Sequence, residues 1–208
     1  VFQGSNYLSP FGYGVMHRMH HAFADTENDP HSPKYDESIF KMMWKTKTIY
    51  SKIASGEELP ENRFMDGVPK WEFFDKFARS WPSRLFWGAA YVGVYYLFAT
   101  EIWLWALLPM QFLFSPIHGA IINWFAHKYG YRNYEVKDTS RNFLPFDFLM
   151  MGESYHNNHH KYGSRPNFGG IRWHEIDPTY QVIKLLNALG VIQIKDQKEI
   201  QLPKEIKK

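Results

Sequence analysis

Two apolar runs constrain this chain before anything else does. Leu85–Ala99 (LFWGAAYVGVYYLFA) and Ile102–Ala126 (IWLWALLPMQFLFSPIHGAIINWFA) are separated only by Thr100-Glu101. A single helix over residues 82–126 would measure roughly 65 Å, about twice the hydrocarbon thickness of a bilayer. A hairpin of two membrane helices turning near Glu101 fits better, the first of them short unless Trp81 and its neighbours join it. Apolar residues circle both segments and leave no polar face, unlike a pair of buried soluble helices with one wet side. Trp81, Trp87, Trp103 and Trp105 then fall near the two interfaces, where an amphipathic ring is favoured.

A hairpin returns the chain to the side it left, so residues 1–80 and 127–208 share one aqueous compartment. Lys70, Lys76, Arg79 and Arg84 precede the hairpin, and Lys128 and Arg132 follow it. The positive-inside rule places both flanks in the cytoplasm. The expected fold class is all-α: an integral membrane helical hairpin with a helical cytosolic cap. Residues 1–80 form a cytosolic segment, 81–126 the hairpin, 127–194 the cap, and 195–208 a charged tail.

Composition narrows the chemistry. There is no cysteine, which excludes disulfide frameworks, thiolate zinc sites and iron–sulfur clusters. The net charge of +3 is scattered, with no basic stripe for nucleic acid. Residues 36–54 read as a helix and residues 56–63 as a loop containing Pro60. Trp71, Phe74, Phe77 and Trp81 recur at spacings of three to four, the pattern of an amphipathic helix on the interface or against a cytosolic core. Asp177-Pro178 starts a last helix whose face is Val182, Leu185, Leu186 and Leu189, and Gly190 ends it.

The polar parts hold a repeated histidine pattern. His17-Arg-Met-His20-His21 and His156-Asn-Asn-His159-His160 share the spacing i, i+3, i+4, which turns three rings to one side of a helix. Asn123 and His127 lie four apart at the end of the second apolar run. Neutral imidazole is a strong ligand for iron, zinc and copper, and seven such histidines exceed the needs of one tetrahedral ion. The two triplets are expected to meet around a common centre of two metals. His31, in a DPHSP turn, and Glu153, three residues before His156, are candidates for positions behind the ligands. His118 lies inside the second apolar run, and His174 reads as a loop or surface residue.

HRMHHAFADTENDPHSP, NWFAHKYGYRN, MGESYHNNHH and RWHEIDPTY resemble the membrane fatty acid desaturases related to stearoyl-CoA desaturase, over nearly the whole chain. The resemblance implies four membrane helices below a cytosolic cap holding two irons, with the hairpin as the third and fourth. It implies His17, His20, His21, His127, His156, His159 and His160 as direct ligands and Asn123 as a ligand through water, with no catalytic residue beyond the ligands. The family's first histidine box and first two membrane helices have no counterpart here, and the chain begins with Val1. It is therefore expected to be the later part of a longer protein and inactive alone. Asn158 stands where animal members have Tyr, and Trp124 where Ser is common.

The expected chemistry is O₂-dependent desaturation of an acyl chain carried by CoA or a lipid. Two irons are the cofactor. An external cytochrome b5- or ferredoxin-like protein supplies electrons, membrane lipids surround the hairpin, and nucleic acid plays no part. Two other readings remain open on the residues: a hydroxylase of the same superfamily, and a non-enzymatic membrane protein holding a structural or transported metal such as zinc.

Overall fold

The structure, a computed structural model, describes residues 7–195. Most of the expected charged tail lies outside the described residues. Among the described residues the regular structure is all helical: α1 (Pro10–Phe23), α2 (Ile39–Ser55), α3 (Asn62–Met65), α4 (Glu72–Arg79), α5 (Trp81–Phe98), a 3-10 helix (Ile102–Leu107), α6 (Leu108–Phe125), α7 (His156–Lys161) and α8 (Pro178–Ala188). The chain divides into two compact units. Unit 1 is the chain up to Phe23 with Asn28–His31 and Phe40–Gly119; unit 2 is Ala24–Glu27, Ser32–Ile39 and the chain from Ala120.

In unit 1, Phe11, Val15 and Met16 of α1 pack on Ile53 of α2 and Phe64 of α3. Burying side chains of this size contributes roughly 1.5–3 kcal/mol each. Gly12 lets α1 approach α2 closely, since a Cβ there would lie 2.8 Å from the Ala54 Cβ. Arg18 reaches across to the carbonyls of Asp66 (2.6 Å) and Phe64 (3.3 Å), tying α1 to the α3 turn. The aromatic pattern over residues 71–81 is not one helix. Ser80 is extended, caps α5 by accepting from Ser83 N, and precedes Pro82 in the first turn of α5. Phe73 and Phe77 of α4 are exposed, while Asp75 is buried and accepts from the Tyr7 hydroxyl.

The second apolar run begins differently from the expected uninterrupted helix. Ile102–Leu107 is 3-10, and the α-helix starts only at Leu108, with Pro109 in its first turn where no intrahelical N–H is required. Ile102–Phe125 is the one segment among the described residues long and apolar enough to cross a membrane, and almost none of it is buried within the protein. The helix α5 has 18 residues but opens with Trp81, Ser83 and Arg84 and carries three tyrosines, so it falls short of that measure. The two runs touch within unit 1. Tyr91 and Phe112 rings lie 5.6 Å apart, Tyr95 and Trp105 rings 5.8 Å, and Gln111 donates to the Tyr95 hydroxyl at 3.0 Å.

In unit 2 the chain from Ala126 to Tyr155 is irregular, so helices make up only part of the residues expected to form the cap. Isolated bridges pair Tyr131 with Asn142 and Asn142 with Tyr155. Side chains take the place of a ladder: the Asp147 carboxylate accepts from the backbone N–H of Met150, Gly152 and Ser154 at 2.7–2.9 Å. Gly130 and Gly152 hold positive φ where the chain reverses. The last helix starts as the sequence indicates, with Asp177 accepting from Tyr180 N at 3.0 Å. Its apolar face, including Val182, Leu185 and Leu189, is exposed rather than packed.

Candidate metal centre

The helix α1 carries the first triplet. The His17 and His21 Nε2 atoms lie 3.1 Å apart, as the i, i+4 spacing requires. His20 is fully buried, and its Nδ1 is 2.9 Å from Asp29 Oδ1, also fully buried. Asp29 is held in turn. Its Oδ1 accepts from His31 N at 3.0 Å, and its backbone carbonyl accepts from Lys45 at 2.9 Å. Thr46 of α2 donates to the next carbonyl, that of Pro30. The His31 ring is buried 4.2 Å from the His20 ring. Asp29 therefore holds His20 by its Nδ1, and the His31 ring packs against the same imidazole.

In unit 2, His127 follows the end of α6, and His156 and His160 stand on α7. One nitrogen from each of the three lies within 4.8 Å of the others. The Nε2 atoms of His127 and His156 are 3.1 Å apart. On the far side of the rings, His127 Nδ1 meets Thr139 Oγ1 at 3.2 Å and lies 3.8 Å from Asp25, and His160 Nδ1 meets Asp138 Oδ2 at 3.0 Å. His159 is buried and stacks on Phe168 at 4.0 Å. Asn123 is partly buried on α6, one turn before His127.

The charges around these rings suit a cation. Burial raises the Asp25 and Asp138 carboxyls, but His127 with Thr139, and His160 with Ser140, outweigh it and hold both well below the usual carboxylate range. Burial lowers His160 in spite of its bond to Asp138, a shift towards the neutral imidazole, the form a metal binds. Two nitrogens bound at ~2.1 Å and a right angle to one ion would be about 3 Å apart. The pairs His17/His21 and His127/His156 both have that spacing, and buried carboxylates sit behind neighbouring rings. The donor set fits a nitrogen-ligated transition metal. Asp138→Ala is expected to weaken divalent metal binding about 10- to 100-fold by releasing His160 Nδ1. Titration with Co(II) would measure this, and an unchanged affinity would show that the ring needs no anchor.

Other sequence candidates lie elsewhere. His174 Nδ1 donates to the Pro145 carbonyl at 2.7 Å within an aromatic cluster of Phe146, Trp173 and Tyr131. His118 stacks on Phe114 within α6. Glu153 faces the carboxylates of Asp177 and Asp147. Burial, with these two charges added, pushes it up to about 7 from an ordinary 4.5. The folded chain thus keeps a proton between pH 4.5 and 7 that the unfolded chain has lost. This contribution to stability is fully present below pH 4.5 and declines as pH rises through 7. Glu153→Gln should raise the thermal midpoint at pH 8 and leave it nearly unchanged at pH 4; an equal shift at both would remove the titration from the explanation.

Sequence reasoning missed Asp25, Asp29, Asp138 and Thr139. Their signal was the placing of carboxylates in ADTENDP and VKDTS, close to the histidines in sequence or fold.

Comparisons with known proteins place this geometry in context. The model of the fatty acid desaturase family matches residues 2–189. The chain is 32% identical over 207 residues to the Delta-9 desaturase-like 5 protein of Arabidopsis thaliana, covering 96% of this chain and 62% of that one. It is 32% identical over 198 residues to the sn-1 stearoyl-lipid 9-desaturase of Synechocystis, covering 94% and 57%. With the acyl-CoA 5-desaturase AL21 of Anemone leveillei it shares 29% over 202 residues, covering 96% and 58%. The chain thus spans about 60% of the length of the curated relatives it matches.

Proposed function

Because the chain belongs to the fatty acid desaturase family, we propose that the protein containing it introduces a double bond into an acyl chain, using iron held by these histidines. His17, His20, His21, His127, His156, His159 and His160 are the ligands, and Asn123 reaches a metal through water. The observation that carries the reading is the pair of 3.1 Å Nε2 contacts, His17 with His21 and His127 with His156, with carboxylates on the Nδ1 atoms of His20 and His160. Two such pairs support two ions.

When bound, iron with nitrogen ligands supplies oxygen activation, the oxidising power that unactivated methylene C–H bonds require. The reaction balances as two hydrogens leaving adjacent carbons while O₂, two external electrons and two protons become two waters. Asp29 and Asp138 hold the ligand rings in one tautomer and orientation. Burial of His20, His127, His156 and His159 keeps bulk water from the imidazoles. An outside redox protein, cytochrome b5- or ferredoxin-like, delivers the electrons.

The lipid setting follows from the helices. Ile102–Phe125, at ~1.5 Å per residue, is long enough for the bilayer's ~30 Å core. The contacts of Tyr91 and Tyr95 with Phe112, Trp105 and Gln111 support α5 returning beside it as a hairpin. Exposed Phe73, Phe77 and Trp81 suit the interface, and the basic flanks support a cytoplasmic side for the histidines. The acyl carrier is a lipid or CoA; relatives named for each are similar to this chain.

Expressing the full-length protein and profiling cellular acyl chains by mass spectrometry tests the reading. Loss of two hydrogens from an acyl chain is the expected product. Gain of one oxygen would indicate a hydroxylase, and about one zinc with no iron in the purified protein would indicate a structural or transport site.

A further inference from the structure

We infer that Glu175 is a positioning residue for the histidines of α7, an inference that rests on the metal reading above. The Glu175 carboxylate is almost completely buried and collects six donors. Onto Oε1 come the Tyr131 hydroxyl (2.7 Å), Asn133 Nδ2 (2.6 Å) and Asn142 Nδ2 (3.3 Å). Onto Oε2 come Asn158 Nδ2 (3.1 Å) and the backbone N–H of Ile171 (3.0 Å) and Arg172 (3.1 Å). All six are neutral groups, and all belong to unit 2.

This hub is wired to α7. That helix has six residues, too few to hold itself, and Tyr155 at its start offers no side-chain cap. Asn142 supplies one from a distance: its Oδ1 accepts from the N–H of Asn157 (3.0 Å) and Asn158 (3.3 Å), while its Nδ2 donates to Glu175 and Asn158. Asn158 lies between His156 and His159 and is bonded to Glu175 directly. Glu175 thus fixes the orientation of Asn142 and the seat of Asn158. These two asparagines set where α7 begins and how it is rotated, and hence where His156, His159 and His160 aim. A glutamine at 175 keeps the shape but turns an NH₂ group towards three donors, whichever way its amide lies.

The test uses the full-length protein. Glu175→Gln and Asn158→Ser, which cuts only the Asn158 arm of the hub, are compared with Asp75→Asn, which weakens a buried carboxylate of α4 in unit 1. Asp75 accepts from the Tyr7 hydroxyl and has no part in the hub. Each variant is titrated with Co(II), its visible absorption recorded, its iron per chain counted and its thermal midpoint measured. Glu175→Gln and Asn158→Ser should lose about 10- to 100-fold in Co(II) affinity with an altered absorption band. Asp75→Asn should lower the midpoint and leave both unchanged. Wild-type affinity and spectrum in a folded Glu175→Gln overturn the inference, and if that variant fails to fold, wild-type affinity in Asn158→Ser does so. An equal loss in Asp75→Asn also overturns it, by reducing the effect to general destabilisation. A wild-type protein that binds no metal sinks the functional reading as well, whereas unchanged variants of a metal-binding wild type sink this inference alone.

Discussion

His156→Ala in the full-length protein is expected to abolish acyl desaturation, with a fall of about 10³-fold or more, the factor that ~4 kcal/mol of transition-state stabilisation represents. His156 is buried, and its Nε2 lies 3.1 Å from that of His127, with the His160 ring centred 4.4 Å away. Alanine leaves a void where the proposed ligand atom stood, and no neighbouring ring can cross it, because Thr139 and Asp138 hold His127 and His160 by their Nδ1 atoms. Iron per chain should fall together with product. His174→Ala is the matched control: its ring contacts Phe146, Trp173 and a backbone carbonyl, so activity should stay within about threefold of wild type, as for substitutions outside a site. Retention of full activity by His156→Ala, or equal losses in the two variants, would sink the ligand assignment.

Gly130→Ala should unfold unit 2 locally, at a cost on the order of 3–5 kcal/mol. Gly130 has φ +114, outside the region an alanine adopts without strain. A Cβ there would lie 2.1 Å from the Asn142 carbonyl oxygen and 2.9 Å from the Phe143 Cα. Both are backbone atoms, so no rotamer change relieves the clash. The reciprocal bonds between Tyr131 and Asn142 (3.0 and 2.7 Å) must break. Asn142 also caps α7, so the metal should be lost with the fold. A lower thermal midpoint and reduced iron content would show both effects. Gly93→Ala, a helical position with no atom within 4 Å of the added Cβ, should be neutral or slightly stabilising. A Gly130→Ala protein that melts like wild type would mean that the reversal at 130 tolerates a side chain.

Much of this molecule is legible in short stretches of sequence. The spacing HxxHH sets the 3.1 Å approach of His17 and His21, because residues four apart on one helix are neighbours. Asp177-Pro178 and Gly190 bracket α8 because capping is a local reaction of a side chain with nearby backbone. Other features resist such reading. Ser80 divides the aromatic run into α4 and α5, and the second apolar run opens as a 3-10 turn, although the hydrophobic pattern continues through both. From Ala126 to Tyr155 the backbone bonds are met by Asp147, Asn157 and one another, so periodicity has nothing to report.

The sequence by itself therefore determined which residues are ligand-like, which stretches are apolar, and that the fold is helical, since each depends on residue type and on neighbours within a turn or two. Only the tertiary structure decided that Asp29 backs His20, Asp138 backs His160, and Glu175 anchors α7 through Asn158. Those pairings join groups 9 to 22 residues apart. A buried carboxylate must find donors wherever the fold brings them, and no spacing rule encodes which ones those will be.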